Sequence, residues 1–248
     1  MRYFINTEYN EYKKKVLFGK PVDTIDMISI GIVSEDDREY YAISKDFDLK
    51  AAWDLLSLRE NVLKPIHYEL ASKEVSTPSY DIWTEIITAR ENGIYSNRHY
   101  KTFKRLINKY GKTKKQIAKE IKEFVYKSMQ GSAVGTLLGV DDKVKNKPEF
   151  YGFYSGFDWV VFSQLFDELP IGFPKYCIDL KQELDNYVDE YIPEGSNFET
   201  RLLKVMYLPL TNRKSVQNDP QYPKQTKTCN ALLIAKWNKK LYEFLNTL

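Results

Sequence analysis

The sequence predicts an α/β fold: a mixed sheet, with an antiparallel meander of three strands plus parallel strands, flanked by helices. Three observations predict it. The first 44 residues hold three apolar, strand-like runs joined by polar links. After residue 147 a run of aromatic residues, "PEFYGFYSG", leads directly into the apolar helical pattern of "FDWVVFSQLFDEL". Between and after these runs lie segments with apolar residues at helical spacing. A meander followed by strand–helix units is the pattern of a sheet with helices packed on it.

Each element follows from its own residues. Residues 2–7 read as strand one, with Tyr3, Phe4 and Ile5 running into Asn6 and Thr7. Residues 26–33, "DMISIGIV", read as strand two, "SEDDRE" as a polar turn, and residues 40–44, "YYAIS", as strand three. Residues 48–57 read as a helix, with Ala51, Ala52, Leu55 and Leu56 on one stripe. Residues 59–66 read as a short helix stopped by Pro65. A further helix is expected over about 79–90. "TKKQIAKEIKEFVYKSM" puts Ile117, Ile121, Phe124 and Val125 on one face, with Thr113 as N-cap and Gln116 three residues on, as in a capping box. "QGSAVGTLLGVDDKVKNKP" reads as a loop, and its glycines match no phosphate-binding signature. Strand four is "PEFYGFYSG", and a helix begins near Asp158. Residues 192–223 read as irregular, and a helix over about 229–246 closes the chain. No internal repeat and no linker-like break is present, so 1–248 reads as one domain.

Composition bounds the function. A chain of 248 residues can bury about 70% of its unfolded surface without staples. Two cysteines, Cys177 and Cys229, are too few for a disulfide framework and point to a reducing, cytoplasmic setting. No signal peptide and no membrane-spanning apolar run is read, so no membrane partner is expected. The net charge of +3, from 37 basic and 34 acidic residues, is a weak pointer to a polyanion. Its distribution says more. Eleven basic residues fall between Asn97 and Lys127, among them Lys101, Lys104 and Arg105, interleaved with Tyr100, Phe103, Tyr110, Phe124 and Tyr126. Such a stretch offers cations for phosphates and rings for base stacking. It equally fits an amphipathic helix pair kept soluble by lysines, and for this segment alone the second reading is favoured.

Side chains two apart on a strand share a face. In "YFINTEYNEY" this aims Asn6 and Glu8 at one spot, with Thr7 turned away. Asp158 falls at a helix start just beyond strand four. An acid there is often only a favourable helix-terminal charge, worth about 0.3–1 kcal/mol, but here it follows the x-Thr-Glu strand end in order. The segments "RYFINTEYNEY", "TIDMISIGIVSEDDREYYAIS", "KPEFYGFYSGFDWVVFSQLF", "GFPKYCIDLKQELD" and "CNALLIAKWNKKLYEFL", taken in that order, resemble the DEDD (DEDDh-type) superfamily of 3′–5′ exonucleases, closest to its polyadenylate-specific 3′-exoribonuclease AS group. The resemblance spans most of the chain and implies a ribonuclease H-like fold. The stretches near 94–112 and 126–146 stand out as divergent insertions.

That resemblance implies a two-metal site built from four carboxylates and a histidine, in which two divalent ions clamp the attacking water and the leaving oxygen. Carried over by position, Glu8 matches the first motif's Glu and Asp158 the third acid. The bridging Asp is Asn6, the general-base His falls on Cys229, and the last Asp falls on Ile234. The five-residue step from Cys229 to Ile234 is the expected one. An amide is a poor bridge between two Mg²⁺ ions, a thiol with a reference pKa of about 8.5 is a poor base at neutral pH, and isoleucine ligates nothing. The expectation is therefore a degenerate site holding no metal, or Mg²⁺ or Mn²⁺ weakly. Asp26 and Asp179 are the acids that could move in to replace a lost ligand; for Asp179 the plainer reading is a helix cap.

Two functions follow from the resemblance. One is a non-catalytic exonuclease-fold protein that binds single-stranded RNA or DNA, or a protein partner, with Thr7, Lys101, Lys104 and Arg105 as nucleic-acid contacts. The other is a working metal-dependent 3′–5′ exoribonuclease with an altered site. Relatives of that group are often dimers, so a homodimer is an expectation of the resemblance alone.

Overall fold

The computed structural model describes residues 1–74, 97–129, 147–190, 216–217, 219–225 and 229–247. Its centre is a five-stranded mixed sheet in the order β3-β2-β1-β4-β5. Strand β1 (Arg2–Lys14) pairs antiparallel with β2 (Val22–Ser34), and β2 pairs antiparallel with β3 (Glu39–Ile43). On its other side β1 pairs parallel with β4 (Glu149–Gly152), which pairs parallel with β5 (Ile178–Asp179). The expected meander is present and longer than its apolar runs. β1 and β2 each have 13 residues, because the polar stretches beyond Glu8 and before Asp26 keep pairing with each other.

The helices follow in order: α1 (Leu49–Asp54), the single turn α2 (Leu56–Leu58), α3 (Lys64–Ser72), α4 (Asn97–Tyr110), α5 (Lys114–Met129), α6 (Gly156–Ser163), α7 (Leu180–Glu190) and α8 (Ala231–Leu245). Two expectations need correcting. The single helix over 48–57 breaks at Leu55, whose backbone is extended. Pro65 stops nothing: residues Arg59–Leu63 form a π-helical turn that runs into α3, with Pro65 in the first turn of α3. The helix expected over 79–90, the loop after Gln130 and most of the irregular 192–223 stretch lie outside the described residues. The two-residue β5 was not foreseen as a strand; it is too short to carry an alternation.

Alternation along β1 sorts the core. Tyr3 and Ile5 face one side and pack with Ile30, Ile32, Phe150, Val161, Phe162 and the α5 stripe Ile117, Ile121 and Val125. Thr113 caps α5 as expected, its Oγ1 accepting from Gln116 N–H at 3.2 Å. Phe4 faces the other side against Leu180, Trp237, Leu241 and Phe244. On that side, beneath α1 to α4, Ile28, Ile43, Trp53, Leu63, Leu70 and Phe103 make a further cluster. The 94–112 stretch thus supplies core residues: Phe103, Leu106 and Ile107 are all buried.

One glycine sets how α8 sits. A Cβ on Gly31 would lie 2.3–2.4 Å from the backbone of Ala231 and Leu232. Gly31 is paired across the sheet with Asn6, so the N-terminus of α8 rests over the stretch of β1 that carries Asn6 and Glu8. No helix among the described residues is long and apolar enough to cross a membrane.

Candidate active site

The site forms where the sheet loses a strand. β4 covers β1 only over Arg2–Phe4, so from Ile5 onward the β4-side edge of β1 needs other partners. Asn238 of α8 donates from Nδ2 to the Ile5 carbonyl at 2.8 Å. Asp158, in the first turn of α6, accepts through Oδ1 from Thr7 N–H at 2.5 Å and from Thr7 Oγ1 at 2.8 Å. Thr7 does point to the face opposite Asn6 and Glu8, yet it is not idle. It is buried and holds Asp158 in place, which leaves it no exposed surface for a nucleic-acid contact.

Asn6 and Glu8 share the α8 face, as the strand period requires. The Asn6 amide donates locally to the Thr7 carbonyl at 3.3 Å. Glu8 is opposite Ser29, and immediately beyond it the register shifts, with Tyr9 opposite Met27 and Ile28 as the extra residue. Such a bulge bends a strand and re-aims the side chains beside it. Glu8 lies close enough to Asp158 for their charges to repel, and burial together with that repulsion pushes its carboxyl up to about 7. Burial pushes Asp158 up to about 6, with the nearby Asp179 adding to the rise and the Thr7 bonds opposing it.

The other two positions to which the resemblance points, Cys229 and Ile234, add no carboxylate. Cys229, half-buried just before the α8 cap Asn230, packs at the edge of the cluster under α1 to α4. Burial and the Glu8 charge both raise its thiol, which disfavours the thiolate a base would need. Ile234 is half-buried one turn into α8, on the stripe of Ala231 and Asn238. Of the candidate replacements, Asp179 is spent as a cap. It accepts from the N–H groups of Tyr154, Ser155 and Lys181 at 3.1, 3.1 and 2.8 Å. These bonds fix the β4–α6 turn, where Tyr154 has φ +56°. Asp26 is elsewhere, bonded to Tyr12, Lys114 and Asp48 N–H.

The donor set present does not fit a pair of divalent ions. Among the described residues no group of three or more His, Cys, Asp or Glu side chains is placed to hold one. Asn6, beside Glu8 on the same face, is an amide, a poor bridge between two divalent ions.

Part of the basic stretch is consumed locally. Arg105 forms a two-pronged bond to Glu74 at 2.8 and 2.7 Å, and Lys109 joins it at 2.9 Å. Lys112 bonds Glu120 and Lys114 bonds Asp26. Lys101 and Lys104 are exposed on α4, with no ion pair among the described residues.

Sequence reasoning missed the floor beneath Glu8. Ser29 is buried opposite it, and the deeply buried Tyr41 hydroxyl faces Ser29, Glu69 and Glu8, with burial raising it well above the phenol range. Asn10 is fully buried, and neither of its amide atoms has a hydrogen-bond partner among the described residues. The signal was in the sequence: Asn6, Glu8 and Asn10 are spaced by two, and Ser29 interrupts an apolar strand.

No family model matches the chain. Over 52 residues, 21% of this chain, it is 48% identical to a 3′-5′ exoribonuclease of Mycobacterium tuberculosis, found in two strains. The chain spans about a quarter (26%) of the length of the curated relatives it matches. The likeness is of an exonuclease kind, and the mixed sheet flanked by helices is consistent with a ribonuclease H-like fold.

Proposed function

We propose that the chain is a catalytically degenerate 3′–5′ exonuclease-fold protein of the DEDDh kind that binds single-stranded nucleic acid without cutting it. The observation that carries this reading is the charge of the site. Glu8 and Asp158 come close enough for their charges to repel, but the positions that would complete the set carry an amide, a thiol and an alkyl chain. A pair of divalent cations needs more anionic oxygens than Glu8 and Asp158 supply; two acids hold a single Mg²⁺ or Mn²⁺ weakly. The partial likeness to a 3′-5′ exoribonuclease supports a single strand as the ligand class, with the exposed Lys101 and Lys104 as phosphate contacts.

A second reading, an active exoribonuclease with an altered site, is favoured by one feature. Thr7 still holds Asp158 by two hydrogen bonds beside Glu8, an arrangement a discarded site has no need to keep.

The test is hydrolysis and binding of labelled oligo(A) and mixed single strands in Mg²⁺ and in Mn²⁺. The expected result is no turnover, with binding that weakens steeply with salt and falls in Lys101→Ala/Lys104→Ala. Turnover lost in Glu8→Ala or Asp158→Ala would overturn the proposal in favour of the active enzyme. Neither turnover nor binding would assign the fold to a protein partner instead.

A further inference from the structure

Beyond Tyr9 and Met27, β1 and β2 leave the sheet. Residues 10–14 and 22–26 pair only with each other, as neither β3 nor β4 reaches them. They form an arm, and its tip is the loop "KVLFGKP". Gly19 turns the chain there at φ +118°, a conformation other residues rarely adopt. Leu17 is 90% exposed and Phe18 88%, and Val16 and Val22 beside them are exposed as well. Single apolar residues scattered over a surface are ordinary, but a contiguous group at one point marks a contact.

The charges around this group are of one sign. Residues 13–23 hold four lysines, Lys13, Lys14, Lys15 and Lys20, and one acid, Asp23. Lys13 is paired with Asp23 at 2.7 Å. Lys14, Lys15 and Lys20 are exposed, with no ion pair among the described residues. Their order along the arm matters. Leu17 and Phe18 are outermost, and the three cations stand two or three residues behind them, at most about 10 Å at the rise of an extended chain. Apolar side chains of a peripheral protein enter a lipid surface by about 5–10 Å, which leaves cations at that spacing level with the headgroups.

We propose that the arm tip inserts Leu17 and Phe18 into an anionic lipid surface, with Lys14, Lys15 and Lys20 against the headgroup phosphates. An apolar insertion and a basic patch act together in such a contact, and each alone binds weakly. A nucleic-acid strand suits the tip less well. Strands are held by rings in succession, and Phe18 has an aliphatic neighbour on one side and Gly19 on the other. The expectation of no membrane partner rested on the lack of a spanning run, and a peripheral contact needs none. The inference goes beyond the proposed function and is independent of whether the site is active. Glu8 is at the base of the arm, nine residues before Leu17, so attachment by the tip leaves the site in water.

The test is sedimentation of the full chain with vesicles of phosphatidylcholine alone and of phosphatidylcholine mixed with phosphatidylglycerol. Binding is expected to the mixed vesicles, weakening with salt, and at least about tenfold weaker to phosphatidylcholine alone. Leu17→Ser/Phe18→Ser is expected to lose at least about tenfold on the mixed vesicles, with unchanged circular dichroism. Lys14→Glu/Lys15→Glu is expected to abolish the preference for the anionic lipid. In Phe18→Trp, fluorescence above that of the wild type should shift to the blue and be quenched by lipid brominated in its acyl chains, which adhesion by charge alone would not produce. A wild type that ignores the mixed vesicles, binding unaffected by the tip variant, or an unquenched Trp at position 18 overturns the proposal. So does a tip that binds labelled oligo(A) and no vesicle, which would give the arm to a nucleic-acid strand.

Discussion

Two glutamates in this molecule have opposite fates. Glu74, at the end of the first helical stretch, is exposed and carries three charge-assisted hydrogen bonds from Arg105 and Lys109; they pull its carboxyl down to about 2. Glu8 is mostly buried near another acid, with no ion pair among the described residues, and its carboxyl rises to about 7. Among the described residues Arg105 and Lys109 are spent on an exposed acid, while no cation is paired with the buried Glu8. Charge on the surface thus says little about function, whereas a buried acid pair without a counter-charge marks a place where something was, or is, bound.

The comparison can be broken first at its scaffold. Gly31→Ala would drive a methyl group into the backbone of Ala231 and Leu232, and neither atom belongs to a flexible side chain. The expected loss is about 3 kcal/mol or more, read as a lower urea midpoint, with α8 displaced from Asn6 and Glu8. An unchanged midpoint would mean that α8 does not close the site.

A smaller effect of opposite sign tests the buried charge. The folded-state carboxyl of Glu8 is raised, so the neutral form stabilises the fold at acid pH, and that contribution is lost as pH rises through about 7. Glu8→Gln stays neutral throughout. It should match the wild type near pH 4 and exceed it by about 2–3 kcal/mol at pH 8, measured by denaturant titration at both values. A variant less stable than the wild type at pH 8 would show that the Glu8 charge is satisfied.

The smallest effect is expected at the surface. Glu74→Gln removes an exposed acid whose pairs salt already screens. Its melting temperature should fall slightly at low salt and not at all at high salt. If the α4 surface binds single strands, the freed Arg105 and Lys109 should tighten that binding and steepen its salt dependence.

Much of the fold was legible because burial on two faces imposes a period. The apolar runs at 2–7, 26–33 and 40–44 all became strands, and the Ile117–Ile121–Val125 stripe became the buried face of α5. The site was legible in part. Spacing by two put Asn6 and Glu8 on one face, and the helix start put Asp158 near them. Thr7 as the clamp on Asp158 was not legible, because the two residues are 151 apart in sequence and the bond depends on where β4 ends. The role of Pro65 was misread because a proline both ends helices and begins them, and local sequence carries no sign of the π-turn before it.

The sequence by itself determined the strand alternation, the helix stripes, and that Asn6, Cys229 and Ile234 carry an amide, a thiol and an alkyl chain. Those are properties of residue type and spacing, fixed before any contact forms. Tertiary structure alone decided which charges meet: that Arg105 goes to Glu74, that Asp179 caps a turn, and that Glu8 and Asp158 come close enough to repel with no ion pair to either among the described residues. Coulomb energy depends on distance and on the depth of burial, and neither exists until the chain has packed.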